Sequence, residues 1–214
     1  MKILYIGNSI TLHSPAPDIG WHGCYGMAAS CEENDYLHVL NRILEDAGKT
    51  VVWKCRNAAD YERSPETYNL EEQLSEERDF SPDIIVMRLI ENVPPDKTAA
   101  FRDWYVRMIR FLNPCGRAAV FCTGAFWQRD DADAWIEEAA AEVGGTYVSL
   151  KTAQGEAFQA IGLFEHGGVA GHPSDVGMAK IAELLYNAID GAGLLNGAVF
   201  YPVPEGDRDP TCMP

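Results

Sequence analysis

A chain of 214 residues can form one domain with a sizeable core, and 47% hydrophobic with 23% charged residues is an ordinary globular composition. Its 32 acidic residues against 17 basic ones give a formal net charge of −15. This argues against nucleic-acid and anionic-membrane partners, because phosphate groups bind to basic surfaces. No apolar stretch is long enough for a signal-peptide core or a membrane span, so we expect a cytoplasmic protein unless a leader has been removed.

Five short apolar runs predict β-strands at intervals along the chain. In chain order they are Ile3–Ile6, Thr50–Cys55, Ile84–Leu89, Ala118–Phe121 and Tyr147–Leu150. The third run is almost entirely apolar, as expected for a strand that is covered on both faces of its sheet.

Apolar residues recur at helical spacing in four further segments. They cover residues 36–47, 101–112, 135–143 and about 175–189, and glycines follow the first, third and last of them. The alternation of strands and helices predicts a parallel sheet with helices on both faces. We expect a single domain over residues 1–214, in which residues from about 195 onwards form an irregular C-terminal tail.

The six cysteines show no C-x-x-C spacing, so a zinc site would lack its usual arrangement of ligands. Cys55 and Cys122 lie in or beside predicted strands, where free thiols behave as small apolar residues. We therefore expect reduced, structural cysteines, no metal and no cofactor. The six are Cys24, Cys31, Cys55, Cys115, Cys122 and Cys212.

Two long segments without a clear period are predicted to be irregular: Thr11 to about Glu33, and Asn57 to about Pro82. Long irregular connections in a compact domain tend to carry function. Both segments follow the carboxyl ends of predicted strands, and so does Ser9. In a parallel α/β sheet, this edge is where sites are formed.

Ser9 and His172 are candidates for nucleophilic chemistry. A serine hydroxyl is a poor nucleophile unless a base takes its proton. His172 stands in a loop just before the last predicted helix, with Ser174 as the N-cap and Asp175 in the first turn. Taken alone, Ser9 could be an ordinary loop residue and His172 a surface or capping residue, so the flanking sequences have to decide.

Four segments together resemble the sequence blocks of the SGNH hydrolases, the GDSL-type esterases, and in particular their carbohydrate acetylesterase members. They are "IGNSIT" from Ile6, "NAADYERS" from Asn57, "RLIENV" from Arg88 and "HPSDVGMAKIA" from His172. The resemblance extends over the whole chain and is most specific in the first and last blocks. It implies a flavodoxin-like three-layer α/β/α sandwich with a central, mostly parallel five-stranded sheet, and it implies hydrolysis of an ester.

The resemblance also implies roles for individual residues. Ser9 matches the nucleophile, His172 the base, and Asn92 the asparagine of the oxyanion hole. Acyl transfer builds negative charge on the carbonyl oxygen, which needs preorganised donors. We expect three: the backbone N–H groups of Ser9 and Glu62, and the side-chain amide of Asn92. The alternative for Asn92 is a turn residue before two prolines.

The chain departs from the family pattern at four positions. Asn8 replaces the usual aspartate beside the serine, and Glu62 and Ile90 stand where the second and third blocks usually have glycine. The triad aspartate belongs three residues before His172, where this chain has Val169. Because the orienting acid sets which imidazole nitrogen is free, another group must hold the ring.

Three explanations for the missing acid are open. A backbone carbonyl could accept the Nδ1 proton and leave a Ser-His dyad, a carboxylate from elsewhere could substitute, or the site could be impaired. Glu62 and Glu165 are the leading carboxylates, although Glu165 precedes a histidine and two glycines that also suit a surface turn. We expect a working site with Glu62 near it and count Glu62 among the catalytic residues.

Aromatic residues at the same edge are candidates for substrate contacts. Trp21 lies in a loop after the first strand, and Trp127 follows the fourth strand. Aromatic rings beside a serine nucleophile suit a sugar ring or a small apolar acyl group, although these rings could equally pack the loops together. With Asn8 and Glu91, they form the predicted substrate-binding set.

The leading interpretation is a serine esterase that acts on a small-molecule ester, with deacetylation of an acylated carbohydrate as the first choice. A lysophospholipase or thioesterase would need a long apolar channel, and the chain has no aliphatic-rich loop to line one. Loss of the triad acid would suit a catalytically weak carbohydrate-binding relative. A flavin mononucleotide or phosphate binder would need a glycine-rich loop where "GNSITLHS" stands. The sequence gives no oligomeric state.

Overall fold

The computed structural model describes residues 1–196, and these form a five-stranded parallel sheet covered by helices on both faces. All five predicted strands are present, with ends displaced by a residue or two. Their bounds are β1 Lys2–Gly7, β2 Val52–Asn57, β3 Ile84–Arg88, β4 Ala119–Thr123 and β5 Thr146–Val148. The strand order is β2-β1-β3-β4-β5, and every pairing is parallel. This is the doubly wound order of flavodoxin-like folds.

The helices complete a three-layer sandwich. Their bounds are α1 Tyr36–Asp46, α2 Ala59–Arg63, α3 Leu70–Asp79, α4 Thr98–Leu112, α5 Asp130–Glu142, α6 Gly167–Ala170 and α7 Asp175–Gly191. Helices α1 and α7 pack together on one face of the sheet, and α3, α4 and α5 pack on the other. None of these helices is long and apolar enough to cross a membrane.

Strand β1 shows how the sheet separates two cores. Ile3 and Tyr5 are buried among the residues of α1 and α7, while Leu4 and Ile6 are buried in the core on the opposite face. Successive side chains of a strand point to opposite faces. A continuous apolar run is therefore what a strand covered on both sides requires, and the predicted fold class is confirmed.

The register of the strands places their ends together. Gly7, the last residue of β1, pairs with Asn57 of β2 and with Arg88 of β3. The loops that follow these three strands therefore begin side by side. The chain order changes direction between β1 and β3, and this switch point is where ligands bind in open α/β sheets.

The sequence predicted an irregular segment from Asn57 to about Pro82. This prediction is wrong, because the segment contains α2 and α3. Helix α3 has the sequence LEEQLSEERD, in which only Leu70, Leu74 and Glu77 are buried. Two inward leucines leave a weak helical pattern among charged residues. Thr11 to Glu33 is irregular as predicted, apart from short 3-10 turns. Of the predicted C-terminal tail, residues 197–214 lie outside the described part of the chain.

Of the five cysteines in residues 1–196, four follow the prediction and one does not, and Cys212 lies outside the described residues. Cys24, Cys31, Cys55 and Cys122 are free thiols, and Cys122 is fully buried in β4. Cys115 is disulfide-bonded, so the expectation of reduced cysteines is wrong for that residue. Residues 1–196 contain no cluster of histidine, cysteine and carboxylate side chains that could hold a metal ion.

Candidate active site

The turn after β1 brings Ser9 to the edge of the sheet at the switch point. The backbone N–H groups of Thr11 and Leu12 both donate to the carbonyl of Asn8, which closes the turn. A Cβ atom on Gly7 would lie 1.9 Å from Oγ1 of Thr11. Gly7 is therefore required by the close approach of Thr11, which lets the chain bend directly after the strand.

Ser9 and His172 meet across this edge, although 163 residues separate them in the sequence. Oγ of Ser9 lies 2.8 Å from Nε2 of His172. The loop before α7 carries His172, and Ser174 caps that helix by accepting from the N–H of Gly177, as predicted. The nucleophile and base expected from the sequence are thus within hydrogen-bond distance of each other.

The other ring nitrogen of His172 is held by a backbone carbonyl. Nδ1 lies 2.7 Å from the oxygen of Gly168, in the short helix α6. A carbonyl can only accept, so Nδ1 carries the proton and Nε2 is free to accept from Ser9. Neither carboxylate named from the sequence contacts the ring: Glu165 is exposed and Glu62 is directed elsewhere. Of the three open explanations, the geometry is that of a Ser-His dyad.

An acid at position 169 would lie in an apolar cluster rather than beside the imidazole. The side chain of Val169 is fully buried in this small cluster, which includes Trp21, Met27 and Ala160. Helix α6 therefore turns the side chain of Val169 into the core and the carbonyl of Gly168 towards the imidazole. The family pattern places an acid at position 169, whereas the acceptor of the Nδ1 proton is the carbonyl of the preceding residue, Gly168. The two groups point in different directions.

Burial sets the basicity of His172. It lowers the pKa of His172 to about 4, because a charged imidazolium would lose its hydration. The Gly168 carbonyl and Glu91 act in the opposite direction, while Arg88 and His13 add to the lowering. The imidazole is therefore neutral, and able to accept a proton, throughout the physiological pH range.

The two tryptophans predicted as substrate contacts do not line the cavity described below. Trp21 is 2% exposed and packs between the rings of Tyr25 and Phe164. Trp127 donates from Nε1 to the carbonyl of Gly171 at 3.0 Å, and its ring meets the His172 ring edge-on at 5.3 Å. Trp21 thus packs a loop, and Trp127 supports the loop that carries the base.

Asn92 lies at the mouth of the site with its amide held at both ends. Nδ2 donates to Oε2 of Glu62 at 2.6 Å, and Oδ1 accepts from Nη2 of Arg63 at 3.3 Å. A primary amide has two N–H groups, so one hydrogen of Nδ2 is left for a further acceptor. Asn92 lines the same cavity as Ser9 and His172. Asn92 is also a turn residue, because the N–H of Val93 donates to the carbonyl of Ile90 at 3.0 Å, so its backbone has the alternative role while its side chain faces the cavity.

The expected set of three oxyanion donors is wrong for Glu62. The backbone N–H of Glu62 donates to the carbonyl of Ala58 at 3.3 Å, within the turn of α2. By contrast, no hydrogen bond among residues 1–196 uses the backbone N–H of Ser9. The available donors are therefore the N–H of Ser9 and the amide of Asn92.

The side chains of Asn8 and Glu91 are buried and do not reach the cavity, contrary to the predicted substrate contacts. Asn8 is fully buried, and its Nδ2 donates to Oε1 of Glu62 at 3.1 Å and to Oε2 of Glu91 at 2.7 Å. Glu91 also pairs with buried Arg88, with Nη2 and Oε1 2.5 Å apart, and accepts from the N–H of Phe126 at 3.0 Å. These residues form a buried polar network under the site.

Glu62 is the centre of that network and has no exposed surface. Burial and the charge of Glu91 raise the pKa of Glu62 to about 7, against hydrogen bonds from Asn92, Asn8 and Ile90 that lower it. Glu62 is thus close to the site, as expected, but its carboxylate faces Asn92 rather than His172.

The cavity at Ser9 has a volume of about 460 Å³. Ser9, Asn92 and His172 were identified from the sequence, and four more lining residues, Asn57, Ala59, Asp60 and Arg63, fall within the second of the four recognised blocks. The loop after β1 was expected to be functional and contributes four residues, but the residue types gave no signal. The lining consists of Ser9, His13, Ser14, Ile19, Met27, Asn57, Ala59, Asp60, Arg63, Asn92, His166, Gly168 and His172.

The parallel sheet in flavodoxin order thus brings a serine, a histidine and an asparagine together at its switch point, where ligands bind in open α/β sheets. No model of a protein family matches the chain, and no curated protein matches it. Solved structures do match it, and among them are esterases and carbohydrate esterases.

A two-domain esterase active on acetylated mannans has a TM-score of 0.60 and 16% identity, over 98% of this chain and 53% of that chain. A psychrotrophic esterase from Pseudoalteromonas sp. has a TM-score of 0.56 and 11% identity, over 91% and 98% of the two chains. A family two carbohydrate esterase from Cellvibrio japonicus has a TM-score of 0.54 and 15% identity, over 91% and 61%. The chain spans little more than half the length of the two carbohydrate-active enzymes, and at these identities the likeness is one of fold.

Proposed function

We propose that this protein is a serine esterase of the SGNH type, which hydrolyses a small acyl ester through an acyl-enzyme. The observation that carries the proposal is the 2.8 Å contact between Oγ of Ser9 and Nε2 of His172, whose Nδ1 is held by the Gly168 carbonyl at 2.7 Å. A nucleophile beside a base that is oriented by a third group is the arrangement that activates serine.

The reaction follows from these positions. Oγ of Ser9 attacks the ester carbonyl while Nε2 of His172 takes the hydroxyl proton. The backbone N–H of Ser9 and the amide of Asn92 donate to the oxyanion that forms. His172 then gives its proton to the departing alcohol as the C–O bond breaks. A water molecule releases the acyl group from Ser9 by the same steps, with His172 again as base.

A carbohydrate is the alcohol that the cavity suits best. Its walls are mainly polar, and they include hydroxyl, amide, imidazole and guanidinium groups. A second polar groove of about 390 Å³ shares Asp60 and Arg63 with it. Polyhydroxylated ligands are bound by such groups, whereas a long acyl chain needs an apolar channel. Two solved structures of this fold are carbohydrate esterases, which supports deacetylation of an acylated sugar.

The test combines labelling with an ester panel. A fluorophosphonate probe is expected to label the wild-type protein but not Ser9→Ala. The control is Ser149→Ala, which removes an exposed serine after β5 and should still be labelled. Hydrolysis of acetylated sugars is expected to exceed hydrolysis of long-chain esters and to vanish in Ser9→Ala. An unlabelled, inactive wild type would favour a catalytically weak carbohydrate-binding relative. A cytoplasmic location and the lack of nucleic-acid and membrane partners stay predictions of the sequence.

A further inference from the structure

The carboxylate of Glu62 is surrounded by donors from the loop after β3. Its Oε1 accepts from the backbone N–H of Ile90 at 2.5 Å and from that of Asn92 at 3.4 Å, and its Oε2 accepts from Nδ2 of Asn92 at 2.6 Å. No hydrogen bond within the described chain joins Glu62 to Ser9 or His172. Glu62 therefore touches the site through its neighbours Asn92 and Asn8, and its shortest side-chain contact there is with Asn92.

The contacts at the two ends of the Asn92 amide fix its orientation. Nδ2 faces the Glu62 carboxylate, and Oδ1 faces the Arg63 guanidinium. Turning the amide by half a rotation would set its oxygen against the carboxylate and its NH₂ against the guanidinium, and both contacts would be repulsive. The remaining hydrogen of Nδ2 is thereby fixed before substrate arrives, which is what an oxyanion donor requires.

We infer that Glu62 is a positioning residue that holds the oxyanion donor Asn92, and that Asn8 stands beside the nucleophile because Glu62 is there. The inference rests on the proposed esterase function. In this inference Glu62 holds the oxyanion donor, and the carbonyl of Gly168 orients the imidazole of His172.

Asn8 fits this arrangement in a way that aspartate would not. Its Nδ2 donates to two carboxylates, Oε1 of Glu62 and Oε2 of Glu91. An aspartate at this fully buried position would add a third carboxylate to a cluster in which, among residues 1–196, Arg88 is the only cation paired with a carboxylate. The asparagine in place of the family's aspartate and the glutamate in place of its glycine are therefore two parts of one arrangement.

Glu62→Gln tests the positioning role selectively. The glutamine oxygen can keep the place of Oε1, which accepts from Asn8, Ile90 and the Asn92 backbone. Its NH₂ then takes the place of Oε2 and faces another NH₂ on Asn92. We expect kcat to fall by tenfold or more, up to the roughly 100- to 1000-fold loss that follows removal of one oxyanion donor. KM should change little, because the donor acts on the transition state.

A double-mutant comparison separates positioning from general damage. In an Asn92→Ala background, Glu62→Gln should lower kcat hardly further, because the group it positions is already gone. Glu77→Gln, a buried glutamate of α3 away from the site, serves as the matched control and should keep wild-type kcat. Asn8→Asp should melt at a lower temperature than Asn8→Ala, since it adds charge as well as removing hydrogen bonds.

Several results would overturn the inference. They are a folded Glu62→Gln with wild-type kcat, a full additional loss from Glu62→Gln in the Asn92→Ala background, or an Asn8→Asp protein as stable as the wild type. A Ser9→Ala protein that still hydrolyses esters would instead overturn the esterase proposal. A failure here is therefore distinguishable from a failure of the function on which it rests.

Discussion

Replacing Val169 by aspartate restores the acid that the family pattern expects three residues before the histidine. From the sequence alone, this change should repair the site. From the structure it should damage the protein, because the Val169 side chain is fully buried among Trp21, Met27 and Ala160. The imidazole nitrogen that an acid would serve already has the Gly168 carbonyl at 2.7 Å.

The expected cost has two parts. Removing a fully buried valine forfeits about 1.5–3 kcal/mol of apolar burial. Burying a carboxyl group without a partner costs about 1–3 kcal/mol more on the scale of protein mutations, with the group held neutral. Together these reduce the free energy of unfolding by about 2.5–6 kcal/mol. In a domain of this size each kcal/mol lowers the melting temperature by about 2–4 °C, so we expect a fall of at least about 5 °C.

Thermal melting and hydrolysis of an acetyl ester, measured on the same preparations, test this prediction. Val169→Ala is the control that removes apolar burial without adding a polar group, and it should be destabilised less than Val169→Asp. Neither substitution should raise kcat. An aspartate variant with wild-type melting temperature and increased kcat would mean that the acid reaches Nδ1, and the assignment of a carbonyl-held dyad would be wrong.

Three further predictions concern the site. Asn92→Ala should lower kcat by about 100- to 1000-fold with little change in KM, and an unchanged kcat would return Asn92 to the role of a turn residue. Because the pKa of His172 is lowered to about 4, kcat/KM should stay high well below pH 6.5, the ordinary midpoint for histidine. This pH profile is measured in Glu62→Gln, because the Glu62 carboxyl, whose pKa is raised to about 7, would otherwise titrate in the same range. A fall in kcat/KM with its midpoint at pH 6.5 would contradict the burial of His172. The same depressed pKa makes His172 stabilise the fold above pH 6.5 and lose that contribution as the pH falls towards 4, which melting curves between these values would show.

The layered fold was predictable because its three central strands, β1, β3 and β4, are buried on both faces and read as apolar runs. Helices α1, α4, α5 and α7 cover those faces and carry their own apolar stripes. Helix α3 was missed because its surface is almost entirely charged, and α2 because five residues show no period. Local patterns predict an element when the element itself carries the apolar surface that packing requires.

The chemistry-bearing residues were predictable only through their positions relative to the strands. Ser9 and Asn92 follow β1 and β3, so the parallel topology places them together, and His172 enters from the loop before α7. The burial of Asn8, Glu91 and Trp21 was not predictable, because it depends on how loops from different strands cover one another. Their residue types suit a binding site and a buried network equally well.

Because a carbonyl rather than an acid holds the imidazole, the transition state of the proposed reaction has to be stabilised by another part of the site. A carboxylate beside Nδ1 would stabilise the imidazolium that forms as Ser9 attacks, whereas the Gly168 carbonyl offers only a dipole. Burial then dominates, and the pKa of His172 falls to about 4. A base this weak gives little driving force for proton transfer, so more of the barrier has to be lowered at the oxyanion. The proposed oxyanion donor Asn92 is placed accordingly: Glu62 holds its nitrogen and Arg63 holds its oxygen.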